Sequence, residues 1–378
     1  MINLKDEKIK NYSPFYIKYM KDRVINLINY NSPSLVNPFT GRAVREFLTN
    51  NENNVEDFIR EILTGKITDL CDKYAEIKSY YCTSKLVFLS EFRVDEELKK
   101  LNKDINAYNR HTFRKDYVNK YSTYWIAPIL NNHPEYYKDN RRFNAFIIDV
   151  KRLLDQLNEE IKKVIDYELI KPDERHQILY NYGIEVCPYC NRNYISKYKK
   201  NGMLKTTADL DHFYPKSKFP LFSLSLYNFV PSCQICNSRF KSAKGVEIIN
   251  PYTQKIDYTK LKFEYTLNSE STVGVFFNEE NSFDININCT DTNYIQHINL
   301  FELENLYKTH KVVVGEVLYK KEAYNNTYSE LINNLFDEMK LTQNEKERFL
   351  FGIEMDEELF YKRPLSKLIY DIVRNDQK

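Results

Sequence analysis

The sequence predicts an α-rich α+β fold, with helical regions at both ends, a compact central module and a short antiparallel sheet after it. Three observations carry that prediction. Chain breakers are sparse, with Gly 8 and Pro 12 in 378 residues, which favours long helices over a turn-rich sandwich. Apolar residues recur at helical spacing through the first part of the chain and again after Leu300. Between Phe263 and Ile287 they alternate instead, as in short strands. A chain of this length can bury a sizeable core and divides naturally into a few units. The expected division is a helical N-terminal region over 1–175, the central module over 176–250, a short antiparallel β segment over 251–290 and a helical C-terminal region over 291–378.

In the first region Val55, Phe58, Ile59, Ile62 and Leu63 follow Asn53, which can cap a helix together with Glu56. A longer helix carries Phe143, Phe146, Ile147, Val150, Leu153, Leu154, Leu157, Ile161 and Val164 on one face and should stop before Pro172. Trp125, with Lys115, Lys120, Arg141 and Arg142 nearby, reads better as a core tryptophan among solvated charges than as a binding surface. No Walker loop, dinucleotide fingerprint or helix-turn-helix spacing is present.

After a Pro251-Tyr252 turn, strands are expected at Phe263-Glu264-Tyr265, Val273-Gly274-Val275-Phe276-Phe277 and Phe283-Asp284-Ile285-Asn286-Ile287. Helical spacing returns at Leu303, Leu306, Val313, Val317 and Leu318, continuing to Leu350 and then from Pro364 to Val373. Met1 to Lys8 lacks the apolar core of a signal peptide, and no run of about 18 apolar residues occurs, so a cytoplasmic protein without a membrane partner is expected. A reducing compartment disfavours disulfides. Cys71, Cys82 and Cys289 are accordingly expected to be buried thiols.

The other four cysteines fall in the central module. Cys187-Pro188-Tyr189-Cys190 and Cys233-Gln234-Ile235-Cys236 are two Cys-x-x-Cys knuckles, the spacing that closes a tetrahedral structural zinc site. A zinc deaminase is excluded, because no His-x-Glu precedes a Pro-Cys-x-x-Cys. From Glu185 to Gly245 the chain carries ten basic residues against three acids, an excess of seven; the overall charge is +2, so the rest of the chain carries −5. A positive patch of that kind favours a polyanionic partner, and nucleic acid is the commonest.

Asp211 and His212 lie between the knuckles, with Asn228 sixteen positions beyond His212 and Asn237 nine beyond that. Hydrolysis of a phosphodiester needs an activated water and charge stabilisation at the phosphate. A histidine with an ordinary pKa of about 6.5 is substantially neutral at cellular pH, and His212 is the expected general base. Asp211 should face away from His212 along a strand, and with an oxygen of Asn237 it would suit Mg²⁺ or Mn²⁺. Lys241 and Lys244, three apart on one helix face, and Arg239 are expected to neutralise phosphates.

These residues resemble the HNH (ββα-metal) nuclease pattern over about sixty residues, through Asp211-His212, Pro215, the Asn228-Phe229-Val230-Pro231-Ser232-Cys233 stretch and the Cys233-to-Lys241 ending. The resemblance implies a low-specificity DNA endonuclease that leaves 5′-phosphate ends, with Asn228 orienting the base histidine. Asn191-Arg192-Asn193-Tyr194, Leu306-Tyr307-Lys308-Thr309-His310-Lys311 and Arg363-Pro364-Leu365-Ser366-Lys367-Leu368 resemble HNH subunits of Septu-like anti-phage systems. That likeness implies an ATPase or sensor partner. Two alternatives stand beside it: an RNA endonuclease acting on substrates such as transfer RNA, and a non-catalytic zinc-stabilised binding module.

Overall fold

The computed structural model describes residues 2–31, 36–49, 54–90, 106–252, 256–268, 282–324 and 340–375, together with 97, 100, 330, 331 and 334. Across them the fold is α-rich α+β. Among the described residues nine helices precede the first strand: α1 (Asp6–Asn31), α2 (Val44–Thr49), α3 (Val55–Thr64), α4 (Ile67–Lys73), α5 (Ala75–Leu89), α6 (Ala107–Tyr121), α7 (Ala127–Asn132), α8 (Asn140–Lys162) and α9 (Pro172–Tyr182). Three antiparallel hairpins follow. They are β1 (Lys197–Lys200) with β2 (Met203–Thr206), β3 (Asp209–His212) with β4 (Phe229–Ser232), and β5 (Leu261–Leu267) with β6 (Phe283–Cys289). The chain closes with α10 (Thr292–Leu300), α11 (Leu303–Tyr307), α12 (Lys311–Ala323), α13 (Gln343–Phe351) and α14 (Ser366–Arg374).

The helix periodicities hold, with small shifts at the caps. In α8, Phe143, Phe146, Val150, Leu154, Leu157 and Ile161 form the buried stripe. The Asp139 side chain caps the helix by accepting from the Arg142 amide at 2.8 Å. In α3 the cap is Asn54, which accepts from the Asp57 amide, rather than the expected Asn53 with Glu56. Asn53 and the expected strand at 273–277 lie outside the described residues. Trp125 is fully buried, stacked on Phe39 at 5.1 Å, and its indole N–H donates to Glu76 at 3.0 Å, so it is core. No helix among the described residues is long and apolar enough to cross a membrane.

The N-terminal helices matter to the central module because they clamp the segment between β3 and β4. Phe219, Leu221 and Phe222 are buried there against α5, with Phe88 facing Phe219 at 5.5 Å and Tyr80 facing Phe222 at 6.0 Å. Each such side chain contributes roughly 2 kcal/mol by leaving water. The Tyr16 hydroxyl donates to the Leu224 carbonyl at 2.6 Å, and the Tyr182 hydroxyl donates to that of Leu226. These bonds satisfy buried carbonyls that no sheet reaches. A division between 175 and 176 would cut α9, whose C-terminus is set by Gly183 at φ +72, a conformation glycine adopts without strain.

Candidate functional site

The two knuckles converge as their spacing predicts. The sulfurs of Cys187, Cys190, Cys233 and Cys236 lie within 4.8 Å of one another, and all four residues are buried. Four sulfurs about 2.3 Å from a central zinc would stand about 3.8 Å apart, so the cluster could hold a metal ion such as zinc. Two hydrogen bonds favour thiolates: the Arg192 amide donates to Cys190 Sγ at 3.4 Å and Asn193 Nδ2 to Cys233 Sγ at 3.3 Å.

β3 lies between this cluster and the helical clamp, with His212 opposite Phe229 in β4 and Asp211 opposite Val230. The His212 ring is buried between Tyr167 (centroids 4.8 Å apart) and Phe229 (5.1 Å). Its Nε2 sits 2.9 Å from the Ser223 carbonyl oxygen. A carbonyl can only accept, so the neutral ring carries its proton on Nε2 and presents Nδ1 as a base. Burial pushes the His212 pKa down to about 3, helped by the positive charges of Lys216, Lys241 and Arg175, while the bond to Ser223 opposes the shift.

Asn228 is fully buried, and its side-chain hydrogen bonds go to backbone groups and not to the imidazole. Its Oδ1 accepts from the Tyr214 amide at 2.8 Å, and its Nδ2 donates to the carbonyls of Tyr214 and Phe222, each at 3.0 Å. The Asn228 carbonyl also accepts from the Phe213 amide at 2.7 Å. Its hydrogen bonds run across the hairpin to backbone groups of Tyr214 and Phe222. Asn228 pins the residue preceding Ser223 to the residues following His212, and so fixes the carbonyl that holds the ring.

The expected metal pair of Asp211 and Asn237 does not assemble. Asp211 accepts from the Tyr189 hydroxyl at 2.6 Å, and the Lys241 ammonium lies 3.0–3.1 Å from its two oxygens and 2.6 Å from the His212 carbonyl. Burial raises the Asp211 pKa, and Lys241 and Tyr189 pull it back. Asn237 instead donates to Asp209 Oδ2 at 3.1 Å. The reason is local geometry. Residues 235–241 form a π-helix lying alongside β3, so Asn237 meets Asp209 while Lys241 meets Asp211, one pleat further on.

Lys241 is correspondingly buried, not solvated, and does not share an exposed face with Lys244. Lys244 is exposed at a cavity of about 220 Å³ that Lys241, Tyr81 and Tyr214 also line. Arg239 is exposed, as expected.

Two cations next to His212 escaped the sequence reading. The Arg175 guanidinium lies 4.1 Å from the centroid of Tyr167 and the Lys216 ammonium 4.3 Å from it, and both pair with Glu168. Lys216 follows the Asp-His motif closely enough to have been singled out. Arg175 and Tyr167 come from the helical region before the first knuckle, and no spacing rule connects them to His212.

No family model matches the chain, and no solved structure matches it. It is 24% identical over 155 residues to "Protein ea31" of Escherichia phage lambda, a match covering 39% of this chain and 47% of that protein. The chain thus spans about half the length of the curated relative it matches.

Proposed function

We propose that this chain is an HNH-type endonuclease that hydrolyses phosphodiester bonds of DNA, with His212 as the general base. The observation that carries the reading is the 2.9 Å contact between His212 Nε2 and the Ser223 carbonyl oxygen: an oxygen that only accepts takes Nε2–H and leaves Nδ1 to receive a proton. In this mechanism Nδ1 takes a proton from water, the oxygen attacks phosphorus, the bond to the 3′ oxygen breaks and the departing oxygen is protonated from solvent. Arg175 and Lys216 supply positive charge beside the imidazole for the phosphate. A divalent ion on the expected Asp211–Asn237 pair does not fit the contacts that Lys241 and Asp209 make. The resemblance to anti-phage nuclease subunits extends the proposal to a defence effector working with an ATPase or sensor.

Purified protein is expected to cut plasmid DNA, and His212→Ala is expected to lose about 10²–10⁴-fold in rate while keeping its circular dichroism spectrum. Total cellular RNA in a parallel gel separates the alternatives, since cleavage of RNA alone would replace the DNA reading. Mg²⁺ and EDTA arms decide whether an added divalent ion is required. Absence of cleavage with the partner ATPase also present would overturn the nuclease reading.

The pH profile gives an independent check. A base of ordinary pKa 6.5 is about tenfold depleted by pH 5.5. Held at about 3, His212 stays neutral there, so single-turnover cleavage is expected to remain flat from pH 8 to 5.5. An acid limb centred near 6.5 would show that the ring is not desolvated in the working enzyme.

A further inference from the structure

The β1–β2 hairpin is not accounted for by the site chemistry. Its ten residues, Lys197 to Thr206, contain four lysines and no acid. Asn201 and Gly202 form its tip with φ +51 and +75, the pair of left-handed residues that makes a tight two-residue turn. Lys199 and Lys200 are exposed, and among the described residues neither forms an ion pair. Tyr198 and Met203 are each 48% exposed, an uncommon place for apolar surface on so small a ribbon. Tyr198 pairs across the strands with Lys205 and Lys200 with Met203, so cationic and apolar groups share one face.

The ribbon is held firmly. Lys205 pairs with Asp173 of α9 at 2.9 Å, and the Lys197 ammonium sits 5.1 Å from the Tyr180 ring centroid on the same helix. Only Thr207 and Ala208 separate β2 from β3, the strand that ends in His212. That junction is tied by the Ser196 amide donating to Thr207 Oγ1 at 2.8 Å and the Thr207 amide donating to the Ser196 carbonyl at 2.9 Å. The hairpin therefore has a fixed orientation relative to the proposed base.

We infer that this hairpin docks on duplex DNA, entering the major groove with Lys199 and Lys200 against phosphates of the groove edge. The inference rests on the nuclease reading for its purpose but not for its chemistry. Four strand residues reach roughly 13 Å, and a two-stranded ribbon fits the major groove, which is about 12 Å wide. The deep, narrow major groove of A-form RNA does not admit such a ribbon, so the same feature selects DNA over duplex RNA. The acid-free sequence supplies the charge complementarity.

The test is the Lys199→Glu/Lys200→Glu double variant in a His212→Ala background, which keeps the nucleic acid intact. Binding to a fluorescent DNA duplex, and to an RNA duplex of the same sequence, is read by anisotropy across a salt series. The variant is expected to bind duplex DNA at least about tenfold more weakly, with the slope of log affinity against log salt reduced by about 2, one unit per lost phosphate contact. Binding to the RNA duplex should change less than about twofold. Unchanged DNA affinity and slope would overturn the inference, and an equal loss on RNA would overturn the major-groove docking. Loss of DNA binding by the variant, when the parent protein with His212 intact cleaves nothing even with the partner ATPase present, would retain the docking surface and remove the nuclease reading. Unimpaired binding by the variant, in a protein that does cleave, would remove only the docking surface.

Discussion

Purified protein is expected to carry one zinc ion per chain, and Cys190→Ser is expected to lose both the metal and the fold of the whole chain, not of the module alone. The first knuckle is where distant segments converge. The Ile2 amide donates to the Pro188 carbonyl at 3.0 Å, His297 Nε2 lies 2.8 Å from the Tyr189 carbonyl oxygen and the Tyr307 hydroxyl donates to that of Cys190 at 2.7 Å. Asn191, buried in the left-handed region at φ +49, accepts at its carbonyl from Leu365 and at its side chain from Lys367, and donates to the Phe360 carbonyl. The first residues, α10, α11 and the segment entering α14 all end on a loop that the cysteines hold shut.

Structural zinc is worth about 10–16 kcal/mol in small modules, against a total stability of about 5–15 kcal/mol for an ordinary domain. Metal content by plasma mass spectrometry, with thermal unfolding followed by circular dichroism, checks the prediction. A Cys190→Ser protein that is metal-free yet melts within about 2 °C of the parent would show that the hydrogen bonds alone hold the knuckle. That shift corresponds to no more than about 1.6 kcal/mol in a chain of 378 residues.

What could be read in advance follows from how local each signal is. The knuckles were legible because thiolate spacing is a covalent constraint, and α8 because its stripe repeats over several turns. The spacing from His212 to Asn228 likewise brought both residues to one hairpin, where they lie at the end of β3 and just before β4. The group that holds the imidazole was not legible, because it is a backbone carbonyl, which any residue at position 223 would supply. Lys241 was misjudged because an α-helical period was assumed where a π-helix stands, and the wider turn carries the side chain inward to Asp211. Arg175 and Tyr167 reach the site only through tertiary packing. The β1–β2 hairpin is different: Asn201-Gly202 is a strong local hairpin signal, and its two left-handed residues form the tip of the ribbon.

Lys241→Met is expected to lower unfolding free energy by about 3–5 kcal/mol, although a lysine next to a helix end ordinarily costs less than about 0.5 kcal/mol to replace. The ammonium and the Asp211 carboxylate are only 5% and 6% exposed, so removing the cation leaves a buried carboxylate with only neutral partners, the Tyr189 hydroxyl and the His212 backbone. Asp211→Asn combined with Lys241→Met removes both charges, and the double variant should recover at least about 2 kcal/mol of the loss, a coupling that urea denaturation resolves directly. The same series asks what else Asp211 can bind. In Lys241→Met the carboxylate loses its ammonium and becomes open to another cation. Millimolar Mn²⁺ should then restore stability to the single variant and not to the double. Equal effects of Mn²⁺ on both would place the cation away from Asp211, and a cost below about 0.5 kcal/mol for Lys241→Met would mean that the ion pair is not formed in solution.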